Sequence, residues 1–484
     1  MALKKKVRIM VYLFTFFQIL GLISSVHAIL NARTPQGAIA WAVSLNTVAV
    51  VAVPAYWVFG RSKFHGYVNA WRDTSLSIDD ELKSIRQRFS PFVVGNSALL
   101  PELRAVRELA DTGFIKGNAA ELLIDGQATY ESIYTGIDQA QSHVLFQFYI
   151  IRADRTGNRF KELLIRKAEE GIRVFVLYDE LGSIKFPVAW INEIRNAGIE
   201  MIPFNTRQGP QNRFQLNFRN HRKIVVVDGK AAWLGGLNVG DDYLGKDKKL
   251  TPWRDTHLKL VGPVALVAQA VFLSDWHWAS RDLISGLNWT PSIPENVLNG
   301  EDGVNALVLQ SGPADEHETA SLFFTQALNL ARERIWIATP YFIPDEATMV
   351  ALRLALLKGL DVRIITPELN DNWFVRHASN VYLEDLAEMG ARIYFYEKGF
   401  MHQKVMLIDD RLAMVGTVNF DNRSFRLNFE ITAALSNRDF ADEVQTMLQK
   451  DLANSSEAGP AYFEKLSAWE RLKSRGSALL APVL

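Results

Sequence analysis

One long pattern occurs twice in this chain, about 180 residues apart, and it constrains the fold more than any other feature. The first copy runs His221-Arg222-Lys223, Asp228, then Gly235-Gly236-Leu237-Asn238. The second runs His402-Gln403-Lys404, Asp409, then Gly416-Thr417-Val418-Asn419. Both copies separate histidine from asparagine by the same 17 positions. An isolated HxK triplet arises by chance in many chains, but five matched positions repeated without slippage do not. Duplication of one folding unit, packed as a pseudo-twofold pair, is the economical account.

Local chemistry gives each copy a shape. Residues 224–227 are β-branched, Asp228-Gly229 is a hairpin turn signal, and residues 230–234 return. The second copy repeats this with residues 405–408, a turn at Asp409-Asp410-Arg411, and residues 412–415. Folding at the turn brings His221 opposite Leu237 and Asn238. His221 and Lys223, two apart, share one strand face. Each half thus offers an imidazole, an ammonium and a carboxamide at one end of a hairpin. Two facing halves would hold two His, two Lys and two Asn, which suits a phosphodiester: Lys and Asn bind nonbridging oxygens, one His attacks phosphorus and the other protonates the leaving oxygen. The candidate catalytic residues are His221, Lys223, Asp228, His402, Lys404 and Asp409, with Asn238 and Asn419 as phosphate binders. Asp228 and Asp409 lie roughly 16 Å along the strand from their histidines; they read as turn residues and join the site only as part of the motif.

The pattern resembles the HxK(x4)D(x6)G[GST]xN signature of the phospholipase D superfamily. Trp253-Arg254-Asp255-Thr256-His257, Gly262-Pro263, Asp275-Trp276, the run from Thr339 to Asp345 and the run from Arg423 to Glu430 are similar to the bacterial cardiolipin synthase branch. The likeness extends from about Phe92 to the C-terminus. It implies phosphatidyl transfer through a phosphohistidine, with no metal or other cofactor, and His221 rather than His402 as nucleophile. It also assigns acids downstream of each motif the task of orienting a histidine: Asp255 is expected to serve His221, and Glu430 to serve His402. The implied reaction makes cardiolipin and glycerol from two phosphatidylglycerols. Hydrolysis of phospholipid, another donor or acceptor such as phosphatidylethanolamine or serine, and an inert membrane scaffold are the alternatives.

Composition narrows the partners. Lys+Arg and Asp+Glu both total 53, whereas a sequence-independent nucleic-acid binder carries a basic excess, so no nucleic-acid partner is expected. Cysteine is absent, which removes disulfides and Cys-ligated metals. Homo-oligomerisation is left open.

The N-terminus reads as a membrane anchor. About 22 residues from Ile9 to Leu30 carry no Asp, Glu, Lys or Arg, enough to span a bilayer as helix. A second apolar stretch follows from Ala38 to Phe59, with Asn31–Gly37 as the turn. Lys4, Lys5, Lys6 and Arg8 precede the pair, and Arg61, Lys63 and Arg72 follow it. This distribution predicts a multi-pass protein of the bacterial inner membrane with its catalytic lobes in the cytoplasm. A cleaved signal peptide ending at Val26-His27-Ala28 is the rival reading. His27 is expected at the interface or against the partner helix.

Strands alternating with helices, each set closed by the hairpin, predict an α/β fold: two duplicated phospholipase D-like α/β sandwich lobes with mixed sheets behind a transmembrane helical hairpin. The expected boundaries are 1–60 for two transmembrane helices, 61–90 for a polar linker, 91–286 and 306–450 for the lobes, and 451–484 for an amphipathic tail docking at the membrane surface. The segment Arg213–Arg219 is either a half-buried edge strand or a lip touching the bilayer. His257, His277, His377, Trp276 and Trp278 are expected to be structural, and Asp241 and Asp242 to lie in a solvated loop.

Overall fold

Apolar runs too continuous to leave one face in water need cover on both sides, and here they form one mixed sheet. The structure is a computed structural model that describes residues 2–60, 67, 87–95, 104–110, 112–184, 186–206, 217–246, 249–300 and 303–484. The linker expected over 61–90 falls largely outside these residues, as do Arg213–Leu216 of the expected lip. The described chain divides into an N-terminal unit and an α/β body.

In the N-terminal unit, α1 (Ala2–Asn31) is followed by α2 (Pro35–Thr47) and α3 (Ala49–Phe59). From Lys4 to Asn31, α1 is long and apolar enough to cross a membrane. The second apolar stretch is not the single helix expected; it breaks at Val48, at φ −127° and ψ 46°. Ser44, Asn46 and Thr47 each donate a side-chain hydrogen bond to the carbonyl four residues back, a local competition that bends helices. Polar bonds tie both pieces to α1: His27 Nδ1 to Tyr56 Oη at 2.6 Å, Trp57 Nε1 to Ser24 Oγ at 3.1 Å, and Asn46 Nδ2 to Ser25 Oγ at 2.8 Å. His27 therefore faces its partner helix.

In the body the first lobe contributes β1 (Ile115–Ile124), β2 (His143–Phe148), β3 (Arg173–Asp179), β4 (Glu200–Phe204), β5 (Arg219–Asn220), β6 (Ile224–Val227), β7 (Ala231–Gly235), β8 (Trp253–Arg254) and β9 (Thr256–Val261). The second contributes β10 (Val304–Ser311), β11 (Arg334–Ala338), β12 (Phe342–Ile343), β13 (Asp361–Pro367), β14 (Arg392–Tyr396), β15 (Phe400–Met401), β16 (Val405–Ile408), β17 (Leu412–Gly416), β18 (Phe420–Asp421), β19 (Asn428–Ser436) and β20 (Ser455–Ala458). Across the sheet the order is β4-β3-β2-β6-β7-β9-β1 and then β10-β19-β17-β16-β11-β13-β14-β20. Read outward from the centre, the two halves repeat each other, and antiparallel β1 and β10 join them. β2, β3 and β4 are parallel, as are β11, β13 and β14, while β6–β7 and β16–β17 are antiparallel hairpins.

Each lobe has its own core, with Phe146, Phe160, Val176 and Trp233 in the first and Phe324, Leu352, Ile364 and Met406 in the second. The helices after β9 and β19, α4 (Ala265–Ser280) and α5 (Arg438–Ala453), pack across the strands of the sheet. Trp276 and Trp278 of α4 are buried. The stretch from residue 451 is no separate tail. Asp451 lies inside α5, β20 pairs with β14 at the sheet edge, and helix α6 (Ala468–Ala478) packs on the helix Trp373–Glu388. An unpaired edge strand would expose its backbone groups, and β20 covers them.

Candidate active site

The two HxK segments meet because each one pairs with the other lobe. The short strand before His221, β5, runs parallel to the start of β19, with Arg219 opposite Asn428 and Asn220 opposite Phe429. The strand before His402, β15, pairs in the same way with β8, Phe400 opposite Trp253 and Met401 opposite Arg254. The pairing continues into the histidines: His221 N donates to the Phe429 carbonyl at 2.9 Å and His402 N to the Arg254 carbonyl at 2.7 Å.

This exchange crosses the acids. His221 Nδ1 lies 2.9 and 3.0 Å from the two carboxylate oxygens of Glu430, and His402 Nδ1 lies 2.9 Å from Asp255 Oδ2. The expected assignment, Asp255 to His221 and Glu430 to His402, is corrected: each histidine takes its carboxylate from the opposite lobe. The residue type and the task are local properties of the chain, but the strand exchange that decides the partner is not. Both acids are fully buried. Burial opposes ionisation of Glu430, but His221, Lys223 and Thr417 more than offset it and hold the carboxyl below its ordinary value. Asp255 is likewise held down, with His402 and Lys404 overcoming burial.

Each lysine folds back on its own histidine. Lys223 Nζ donates to the His221 carbonyl at 2.6 Å. Lys404 Nζ donates to the His402 carbonyl and lies 3.0 Å from Nδ1 and 3.2 Å from Nε2 of the ring. Burial pushes the His221 imidazole down to about 4 despite Glu430, and the His402 imidazole to about 4 with help from Lys404. Burial also lowers Lys223 to about 7 and Lys404 to about 8. The halves sense each other, since the Lys404 charge acts on both His221 and Lys223. Tyr149 packs edge-on to His221 at 5.2 Å between ring centroids, and Tyr341 edge-on to His402 at 6.4 Å. Tyr341 Oη bonds both oxygens of Asp371, at 2.7 and 2.8 Å.

Asn238 Oδ1 accepts from the N–H of Ile150, the residue after Tyr149, at 3.0 Å, and its side chain is also hydrogen-bonded to the Tyr243 hydroxyl. Asn419 precedes β18, which pairs with β12 next to Tyr341; its Oδ1 is buried without a hydrogen-bond partner among the described residues.

Asp228 and Asp409 do not enter the site, which corrects their place among the candidate catalytic residues. Both take a left-handed turn conformation, φ 55° and 52°. Asp228 accepts from the backbone N–H of Gln141, Ser142 and His143, and Asp409 from those of Arg332, Glu333 and Arg334. Each carboxylate thus anchors the start of the antiparallel neighbour of its hairpin, β2 in the first lobe and β11 in the second. Asp241 also stays outside, accepting from Thr156 and Lys246, and Asp242 pairs with Arg152. Buried His257 takes the Leu237 N–H on Nδ1 at 3.4 Å and acts in packing. Sequence reasoning missed Tyr149, Tyr341 and Thr417, whose hydroxyl donates to Glu430 Oε2 at 2.5 Å. The repeats in register set Tyr149 against Pro340 and Ile150 against Tyr341, so the signal is only a tyrosine within three residues of the end of the same apolar strand in each half.

Crossed histidine–carboxylate pairs, two lysines and a duplicated α/β sheet define a phospholipase D-type site shared by two lobes. The family model described as "Cardiolipin synthase, PLD-like domain" matches twice, over residues 133–251 and 324–452. The chain is 44% identical over 478 residues to Cardiolipin synthase A of Pseudomonas putida (strain W619), and 42% identical over 481 residues to Cardiolipin synthase A of Pseudomonas fluorescens (strain SBW25), each match covering 98% of both chains. The phosphatidylserine synthase of Haemophilus influenzae Rd KW20 shares the fold, at a TM-score of 0.59 and 15% identity over 80% of this chain and 100% of that one. The chain belongs to the bacterial cardiolipin synthase family of the phospholipase D superfamily.

Proposed function

We propose that this enzyme transfers a phosphatidyl group from one phosphatidylglycerol to the primary hydroxyl of another, releasing glycerol and forming cardiolipin. The observation that carries the reading is the reciprocal pair of contacts, His221 to Glu430 and His402 to Asp255. A carboxylate at Nδ1 fixes the proton there and turns Nε2 outward as the reacting nitrogen.

His221 Nε2 attacks phosphorus, forming the P–N bond as the P–O bond to glycerol breaks and His402 protonates that oxygen. His402 then removes the proton from the hydroxyl of the second phosphatidylglycerol, whose oxygen displaces His221 from phosphorus. Lys223 and Lys404 hold the nonbridging oxygens, and Asn238 and Asn419 complete the phosphate cradle. One P–O bond replaces another of similar energy, so the exchange needs no nucleotide. The family resemblance supports giving His402 the acid's part. Both imidazoles are neutral at pH 7 in the free site; a bound phosphodiester anion favours the His402 imidazolium.

The same proposal puts the chain in the bacterial cell membrane with its lobes in the cytoplasm. The apolar α1, the packing of α2 and α3 on it, and the basic run Lys4–Arg8 at its start support that orientation. Labelled phosphatidylglycerol supplied alone in detergent, without CTP or divalent metal, is the direct test. Cardiolipin with free glycerol supports the reading; phosphatidic acid as sole product indicates hydrolysis, and no turnover indicates a scaffold.

A further inference from the structure

Behind each HxK triplet lies a buried carboxylate on the following helix, and each carboxylate is paired with a guanidinium. In the first half Asp275 of α4 pairs with Arg222, the middle residue of the triplet, at 2.6 Å, and accepts from Gln147 Nε2 and Asn220 Nδ2 at 2.7 Å each. Arg222 also reaches the second lobe, donating from Nε to the Glu430 carbonyl at 3.0 Å and from Nη2 to the Ser311 carbonyl at 3.3 Å. In the second half the middle residue is Gln403, which is uncharged. The guanidinium comes instead from Arg254 of the first lobe, whose Nε and Nη2 form a two-pronged pair with Asp451 of α5, both at 2.8 Å. Arg254 Nη1 donates to the Asp255 carbonyl at 2.6 Å and to Thr256 Oγ1 at 3.1 Å. Gln403 Nε2 donates to the same Asp451 at 2.7 Å, and Gln403 Oε1 accepts from Thr256 Oγ1 at 2.8 Å.

The strand pairings fix which residues correspond. His221 N bonds the Phe429 carbonyl and His402 N bonds the Arg254 carbonyl, so Arg254 corresponds to Phe429 and Gln403 to Arg222. The Arg222 guanidinium lies 5.5 Å from the Phe429 ring centroid. Between the halves, arginine and its neutral neighbour have therefore exchanged strands, while the contact with the helix carboxylate is kept. Removing one partner from a buried pair leaves an uncompensated charge, which is strongly unfavourable. The strand carrying His402 would then lose the bond from Gln403 to a fixed Asp451.

We propose that Arg254 is a positioning residue for His402, and that the guanidinium each helix carboxylate requires can be supplied from either strand of the crossed pair. The inference rests on His402 acting in phosphatidyl transfer, and wild-type turnover measured alongside tests that reading separately.

The experiment compares Arg254→Phe with Arg254→Phe/Gln403→Arg in the full-length enzyme, using labelled phosphatidylglycerol in mixed micelles and resolving kcat from KM. Arg254→Phe is expected to lower kcat about 100-fold or more with KM changed less than about threefold, a loss of transition-state rather than ground-state interaction. The double variant copies the Arg222–Phe429 arrangement and is expected to regain kcat to within about tenfold of wild type. A double variant that melts like wild type but is no more active than the single one overturns the proposal. Arg254→Lys keeps charge against Asp451 while losing the fork, and guards against misfolding of the other two. It should lower kcat with KM held, and an unchanged kcat contradicts the assignment.

Discussion

His221 in the first lobe is held at 2.9 Å by Glu430 in the second, 209 residues further along the chain. The relationship has a counterpart in His402 and Asp255, so neither lobe contains a complete histidine–carboxylate pair by itself.

Glu430→Gln keeps the shape but gives His221 an amide in place of a carboxylate. The orienting charge is lost, and kcat is expected to fall by about 100- to 10,000-fold with little change in melting temperature. Asp255→Asn should do the same through His402. Rapid quenching separates them: Glu430→Gln should fail to accumulate a phosphorylated enzyme, whereas Asp255→Asn should slow both formation and discharge. Normal turnover in Glu430→Gln would remove that residue from the mechanism.

Asp228 and Asp409 behave differently because they bond backbone rather than substrate. Asp228→Ala removes the acceptor of three backbone N–H groups, of which that of His143 is buried, and an unmet buried group of this kind costs about 1–3 kcal/mol. The expected result is a lower melting temperature with kcat per folded enzyme within a few-fold of wild type. A fully stable but inactive Asp228→Ala would return the residue to the catalytic group.

The titrations give the pH profile a direction. In the free enzyme the histidines protonate near about 4, and Lys223 and Lys404 lose their protons near about 7 and about 8. As pH falls through 4 the nucleophile is lost; as it rises past 7 to 8 the cations that receive the phosphodiester are lost. The quantity kcat/KM should therefore fall on both sides, with its alkaline limb near neutrality rather than near the ordinary lysine range. A value of kcat/KM still flat at pH 9 would show that the lysines are not depressed.

Gly236 and Thr417 occupy matching places with opposite demands. A Cβ on Gly236 would collide with the Asp255 carboxylate, whereas the Thr417 hydroxyl bonds Glu430. Gly236→Ala should displace the partner of His402 and cost at least about tenfold in kcat, while Thr417→Val loses the hydroxyl's bonds to Glu430 and Ile431, about 1–3 kcal/mol of stability. Equal tolerance at both positions would argue that the placement of the two carboxylates does not limit turnover.

Much of this site is legible in the chain because the motif is local. His221, Lys223 and Asn238 lie on one hairpin, and period-two alternation with an Asp-Gly turn suffices to gather them. The alternating strands and helices of each half likewise predict the lobes. What the pattern cannot reveal depends on pairing between distant segments. The two-residue strands β5 and β15 are too short to carry a signal, yet they decide which acid serves which histidine. The break at Val48 is hidden for another reason: hydropathy sees an unbroken apolar run, while the Ser44, Asn46 and Thr47 side chains compete for backbone carbonyls. Residues 451–484 look like a tail by composition, but their role in closing the sheet edge becomes visible only when β14 needs a partner.

Turnover of His221→Ala and of His402→Ala, each measured alone on phosphatidylglycerol and compared with the double variant, tests the shared site most directly. Two imidazoles working on one diester predict that either single change lowers kcat by at least about 1,000-fold and that the double loses little more. A single variant retaining about half of wild-type turnover would mean that the lobes act independently, and would contradict the account.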